Sequence, residues 1–192
     1  MPASLRGNIE ITKLLLETGV DVNAQGGQYG SALQAASLQE NIQTTKLLLE
    51  TGADVNAQGG QYGSALQAAS CMGNSAVVQL LLERGADVNA QIGEYGNALQ
   101  AASFQGHIDT VQLLLKSGAK SSDSHPVKLS LWGEHMEICN PLQAACIRNH
   151  MLVAKLLLDH GVEQEHLDTA LQSALAKGYQ YMVDLLLDYR AK

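Results

Sequence analysis

Within sixteen residues the chain places His135, Cys139, Cys146 and His150, spaced H-x3-C-x6-C-x3-H. Thiolates and imidazoles are the ligands that zinc takes in closed tetrahedral sites, so this cluster is the strongest sign of chemistry in the sequence. A glycine-rich run, Gly59-Gly60-Gln61-Tyr62-Gly63, has the composition of a phosphate cradle but lacks the Lys-Ser/Thr ending that would hold a phosphate and its metal. Cys71 is a nucleophile by residue type, yet no base is recognisable beside it, and no Gly-x-Ser-x-Gly elbow occurs. Glu50, Glu83 and Asp159 stand at helix ends, where carboxylates usually face solvent.

The frame that must hold these residues is visible when the sequence is slid along itself. A shift of 33 lays Tyr29-Gly30-Ser31-Ala32-Leu33-Gln34-Ala35-Ala36-Ser37 over the stretch from Tyr62 to Ser70, and a second shift reaches Tyr95 to Ser103. About two-thirds of the positions in the blocks opening at Ser31 and Ser64 are identical, and such self-similarity marks a stacked array. The next block opens at Asn140, 43 residues after Asn97, and the last at Thr169, 29 further on. The units are therefore 1–30 (entered partway through its first helix), 31–63, 64–96, 97–139 with ten inserted residues, 140–168 (shortened) and 169–192.

In this frame Cys146 falls on the slot of Ser37, Ser70 and Ser103, and His150 on that of Asn41, Asn74 and His107. The repeat accounts for both, so no metal, cofactor or catalytic residue is assigned. A zinc-binding or enzymatic domain stays as the remote alternative. The glycine run likewise recurs with the repeat and reads as a turn.

Composition agrees with an array. Hydrophobic residues make up 46% of the 192, yet there is one Phe and one Trp, so short helices with small and aliphatic side chains must build the core. Twelve Lys and Arg against nineteen Asp and Glu give a net charge of −7, without the cation cluster that nucleic acid requires. No apolar run approaches membrane-spanning length, no signal peptide is recognisable, and three Cys make no disulfide framework. The expected setting is intracellular, cytoplasmic or nuclear, and the expected state is a monomer.

Each unit reads as two helices. Ser31, Ser64, Asn97, Asn140 and Thr169 precede a short first helix as capping residues. Asn41, Asn74 and His107 open a second helix whose apolar residues run nearly all round it, as in Val77-Val78-Gln79-Leu80-Leu81-Leu82. Gly19, Gly52, Gly85, Gly118 and Gly161 follow at the place where a left-handed residue ends a helix. The Ala-Asp-Val-Asn-Ala-Gln-Gly-Gly segment beyond is a hairpin-like finger.

With these pieces the chain resembles the ankyrin repeat family over essentially its whole length. The opening Asn140-Pro141-Leu142-Gln143, the interhelix Gly106-His107 and the ending from Leu81 to Ala90 carry the resemblance. Gln34, Gln67 and Gln100 replace the family's His, and an amide can still donate into the neighbouring turn. The near-verbatim Tyr-Gly-(Asn/Ser)-Ala-Leu-Gln wording is similar to fungal arrays, some of them in receptor-type proteins. Asn23, Asn56 and Asn89 resemble sites that asparaginyl hydroxylases modify in animal members.

The resemblance implies an all-α solenoid that recognises a protein or peptide, without catalysis, on a concave face of fingers and first helices. The alternative is a recognition or regulatory segment packed on a larger chain. Carried over, the finger positions are Gln28, Tyr29, Gln61, Tyr62, Glu94 and Tyr95; the helix positions are Leu38, Gln39, Cys71, Met72, Phe104, Gln105, Ile147 and Arg148. Leu38, Cys71, Phe104 and Ile147 share one slot and would align in an apolar column, either an exposed binding stripe or a seam that helps repeats stack. The tyrosines are either interface anchors or packing at each finger's base. In the insertion, residues 121–126 read as a loop, and Val127 to Glu134 alternates and turns at Trp132-Gly133, an extended finger that adds Trp132 to the candidates.

Overall fold

The computed structural model describes residues 8–93, 95–122, 125–128 and 136–191; Glu94, Trp132 and His135 lie outside them. Eleven helices are described: α1 (Ile9–Glu17), α2 (Ala32–Ser37), α3 (Ile42–Glu50), α4 (Ala65–Met72), α5 (Ser75–Glu83), α6 (Ala98–Gln105), α7 (Ile108–Lys116), α8 (Pro141–Ile147), α9 (Met151–His160), α10 (Gln164–Lys177) and α11 (Gln180–Arg190). They pair as antiparallel inner and outer helices, the inner ones being α2, α4, α6, α8 and α10. Each inner helix packs on the next and on its own outer partner.

The alternation of Ala pairs and Leu triplets explains the packing. Ala35, Ala36, Ala68, Ala69, Ala101, Ala102, Ala144 and Ala145 are buried, giving the inner helices thin sides that approach closely. Leu48, Leu81, Leu114, Leu157 and Leu186 fill the space between inner and outer rows, in one core that runs from Leu33 to Leu186.

Ser31, Ser64, Asn97 and Asn140 cap their helices, accepting from the backbone N–H of Gln34, Gln67, Gln100 and Gln143. Thr169 does not. Helix α10 starts at Gln164, so Thr169 lies inside it and the boundary between 168 and 169 falls within one helix. Only Gly161, Val162 and Glu163 separate α9 from α10, so the finger is missing there and the helix is lengthened instead. Gly19, Gly52, Gly85 and Gly118 have the expected positive φ; Gly161 has φ 98° with an extended ψ of 132°, a conformation outside the left-handed helical region.

The insertion holds an antiparallel pair of strands, β1 (His125–Lys128) and β2 (Met136–Cys139), with His125 opposite Cys139 and Lys128 opposite Met136. The extended finger is present, but its first strand opens at His125, inside the segment read as a loop. The stretch 129–135, with Trp132, is outside the described residues.

Candidate functional site

The fingers are tied to one another and to the inner helices by side chains that recur at the repeat spacing. In the first such tie, the Gln34 Nε2 donates to the carbonyls of Gly59 and Gly63, each at 2.9 Å, while its Oε1 accepts from the Ser31 backbone N–H. Gln67 donates to Ala90, Ile92 and Gly96 at 3.3, 2.6 and 2.5 Å. Gln100 donates to the Cys139 carbonyl across the inserted finger. All three amides are buried and each pins the following finger, and Gln34 and Gln100 also accept from the backbone N–H of their own N-cap residues, Ser31 and Asn97. The sequence expectation that Gln serves in place of His holds at each position.

A second ladder runs along the other end of the fingers. Asn23 donates to the Gly52 carbonyl (3.0 Å) and accepts from the Asp54 N–H (2.7 Å). Asn56 makes the same pair with Gly85 and Asp87, and Asn89 with Gly118 and Lys120. The three asparagines that resemble modification sites are thus the rungs between units. At the tips the glycines allow contact: a Cβ on Gly60 would lie 2.5 Å from the Gly30 nitrogen, and one on Gly93 2.5 Å from the Tyr62 carbonyl oxygen. The run from Gly59 to Gly63 is therefore a finger tip pressed on its neighbour.

The column of Leu38, Cys71, Phe104 and Ile147 is not an exposed stripe. Leu38, Cys71 and Phe104 are 5%, 4% and 6% exposed, and Ile147 is half-buried. The physical reason is the fingers. Tyr95 and half-buried Tyr62 fold back over the inner-helix ends, their rings stacked at 5.9 Å and 16°, and form a second small core with Cys71, Phe104, Cys139 and Ile147. Of the two readings the sequence left open, the seam is the one the packing supports.

What remains open to solvent is the next slot. Gln39 is exposed, Met72 is 47% exposed, Gln105 is half-buried and Arg148 is exposed. Arg148 lies over the Phe104 ring, its guanidinium carbon 4.8 Å from the centroid. Gln105 donates weakly to the Cys71 sulfur at 3.7 Å. Gln28 is exposed at the first tip, its carbonyl accepting from the Gln61 N–H at 2.8 Å; Tyr29 and Gln61 are half-buried. Two exposed residues, Glu40 and Asn149, border this row and were missed by sequence reasoning; both have left-handed backbone, φ 53° and 59°. Their signal was available, since they occupy the slot of Gly73 and Gly106.

That slot is governed by the residue at the start of the next unit's outer helix. His107 and His150 turn back to the preceding unit, Nε2 to the Cys71 and Phe104 carbonyls at 3.1 and 3.0 Å, so each ring carries its proton there. Their rings cover Gly73 and Gly106, where a Cβ would meet Nδ1 at 2.5 Å. Asn74 makes the equivalent reach to Ser37 (2.8 Å) with a shorter side chain, and there the slot holds Glu40. Burial lowers the His150 pKa, aided by the charges of Arg148 and His107 and opposed by the Phe104 carbonyl.

Cys146 is buried, its thiol pushed up to about 12 by desolvation, and burial also raises the Cys71 thiol against its bonds to Gln105 and Tyr95. Both thiols are held in their protonated form. Among the described residues, no three of His, Cys, Asp and Glu come together as a metal site, and no helix is long and apolar enough to cross a membrane.

Comparison with known proteins agrees with this architecture. No curated protein matches the chain. Among solved structures it is similar to the human ASB11 ankyrin repeat domain, with a TM-score of 0.82 and 29% identity, over 98% of this chain and 81% of that one. The likeness to fungal receptor-type arrays finds no support in these matches. The family model for ankyrin repeats in three copies matches residues 1–92, 60–125 and 99–192, and the chain therefore belongs to the ankyrin repeat family.

Proposed function

We propose that this chain is a non-catalytic binding module that holds a partner protein or peptide along the row Gln39, Met72, Gln105 and Arg148, flanked by the finger tips at Gln28 and Gln61. One observation carries the reading. Units 31–63 and 64–96 are near copies, and the buried Ala-Ala-Ser of the inner helix recurs unchanged at 35–37, 68–70 and 101–103, yet the exposed slot at the inner-helix ends changes from Gln to Met, and then to Gln and Arg. Stacking alone leaves no reason for an exposed methionine there, and flexible thioethers suit adaptable surfaces. Arg148, held over the Phe104 ring, presents guanidinium donors beside it. Glu94 and Trp132 extend the proposed surface on sequence grounds alone. Ankyrin repeats generally bind proteins, which agrees with a face of this kind.

The test is a Met72→Asp/Arg148→Glu double variant, both sites being exposed so that circular dichroism should be unchanged. Proteins captured by the wild-type chain from a source extract are expected to be lost. Equal capture of the same proteins by both would remove this row from the binding surface.

A further inference from the structure

The row at the inner-helix ends does not stop at Arg148. The shift that carries Asn140 to Thr169 carries Arg148 to Lys177, and Gly178 caps α10 in left-handed backbone, as Gly73 and Gly106 cap α4 and α6. Lys177 is exposed, as Gln39, Met72 and Arg148 are, so this slot is open in the internal units as well as in the last one. The row therefore reads Gln39, Met72, Gln105, Arg148, Lys177, and its charge is one-sided. Glu40 borders one end, while the other carries two cations in a chain whose net charge is −7. Among the described residues the ion pairs are made by Lys13, Lys46 and Arg190, and neither Arg148 nor Lys177 has a carboxylate partner. Beside Arg148, burial and then the charges of Arg148 and His107 hold the His150 pKa down against the Phe104 carbonyl, as a locally positive field does. The Arg148 guanidinium is already held over the Phe104 ring, so less freedom is lost when it meets an anion.

We infer that the partner held on this row is an extended acidic peptide segment, with carboxylates on Arg148 and Lys177 and an apolar residue on Met72. The inference rests on the proposed binding row and adds the chemistry of what lies there. Spacing sets the pattern. Successive inner helices pack directly on one another, and packed helices lie about 8–10 Å apart. An extended chain covers that distance in about three residues, at roughly 3.3 Å each. Two carboxylates about three residues apart thus meet Arg148 and Lys177, and the apolar residue lies about six residues from the carboxylate at Arg148. The cations stand one per unit and do not converge, which suits separate carboxylates. A phosphate is held by donors that close on one point.

The experiment is selection of random linear peptides displayed on phage against the whole chain, repeated with Arg148→Glu/Lys177→Glu and with Met72→Asp. Wild type should enrich peptides with paired Asp or Glu and an apolar residue at that spacing. Charge reversal should exchange the acids for Lys or Arg. An enriched peptide should bind Arg148→Gln/Lys177→Gln roughly tenfold more weakly and with a shallower dependence on NaCl. Arg148→Lys, which keeps the charge, should retain most of the affinity if the neutral pair loses its helical spectrum. Peptides that need Met72 but carry no acids, or acids that survive the reversal, would overturn the inference and leave the row as a binding surface. Peptides indifferent to every variant, or no enrichment at all, would remove the peptide-binding row and this inference with it. Tighter binding of an enriched peptide with phosphoserine in place of its acids would overturn the carboxylate occupant in favour of a phosphorylated one.

Discussion

The central units and the last two units stack by different means. Between residues 31 and 122 the inner helices are six to eight residues long, and each is tied forward by a buried glutamine and by an asparagine rung through the fingers. After residue 140 the finger is gone, α10 is 14 residues long, and the ties shrink. Half-buried Gln143 reaches only the Ser173 hydroxyl (3.0 Å), and Asn140 only that of Thr169 (3.2 Å). Without a finger there are no looped carbonyls to cap, and a longer helix supplies apolar contact in their place. One fold thus joins its repeats by polar staples at its centre and by burial at its end.

The contrast implies that removing a staple hurts the centre far more than the end. Gln67→Ala leaves three finger carbonyls without their donor and is expected to cost about 3 kcal/mol in urea unfolding. Gln143→Ala, losing one partly exposed bond to a hydroxyl, should cost about 1 kcal/mol or less. Equal losses would erase the distinction between the two regions.

The next largest effect tests how the staples' neighbours are packed. Gly106→Ala puts a methyl 2.5 Å from the His150 ring at φ 82°, with an expected loss of about 2 kcal/mol. Adding His150→Asn should recover much of it, since the shorter Asn74 coexists with a side chain at Glu40. Additive losses in the double variant would show that backbone conformation alone sets the cost.

How much of this was legible beforehand follows the range of the contacts. The caps at Ser31, Ser64, Asn97 and Asn140, the glycine stops and the glutamine's role are local or set by the repeat spacing, and the sequence shows them. Thr169 misled because its neighbours match the capping pattern, while the lost finger lets the helix begin at Gln164, six residues before the Ala170 that such a cap implies. The burial of Cys71 and Phe104 was not legible, because the covering ring of Tyr95 comes from a finger and its position depends on how that finger folds back. The apolar column was visible; what covers it was a matter of tertiary geometry.

The asparagine rungs offer a milder test of the centre. Asn56→Ala removes the acceptor of the Asp87 N–H and the donor to Gly85, both exposed, and should cost about 1 kcal/mol. Hydrogen exchange at the Asp87 amide should accelerate more than at amides of α9, and a uniform change along the chain would contradict a local rung. Glu40→Gly should move stability the other way by roughly 0.5–1 kcal/mol, relieving a left-handed glutamate at φ 53°. A thermal melt that drops instead would mean the Glu40 side chain contributes more than its backbone costs.

The smallest effect concerns acidity at the junction between the two regions, where His150 of the end group reaches back to Phe104 of the centre. Its depressed pKa means the unfolded chain takes up a proton first as pH falls below the ordinary value of 6.5. Its contribution is therefore complete above that pH, declines as pH drops toward the folded value, and is constant below it. Melting temperature should fall between pH 7.5 and 5, and His150→Gln should flatten part of that fall. Glutamine keeps a donor for the Phe104 carbonyl but has no proton to gain, so the difference in pH slope isolates the ring's titration from its hydrogen bond. Parallel pH profiles for the two proteins would show that protons act elsewhere and that this junction is indifferent to them.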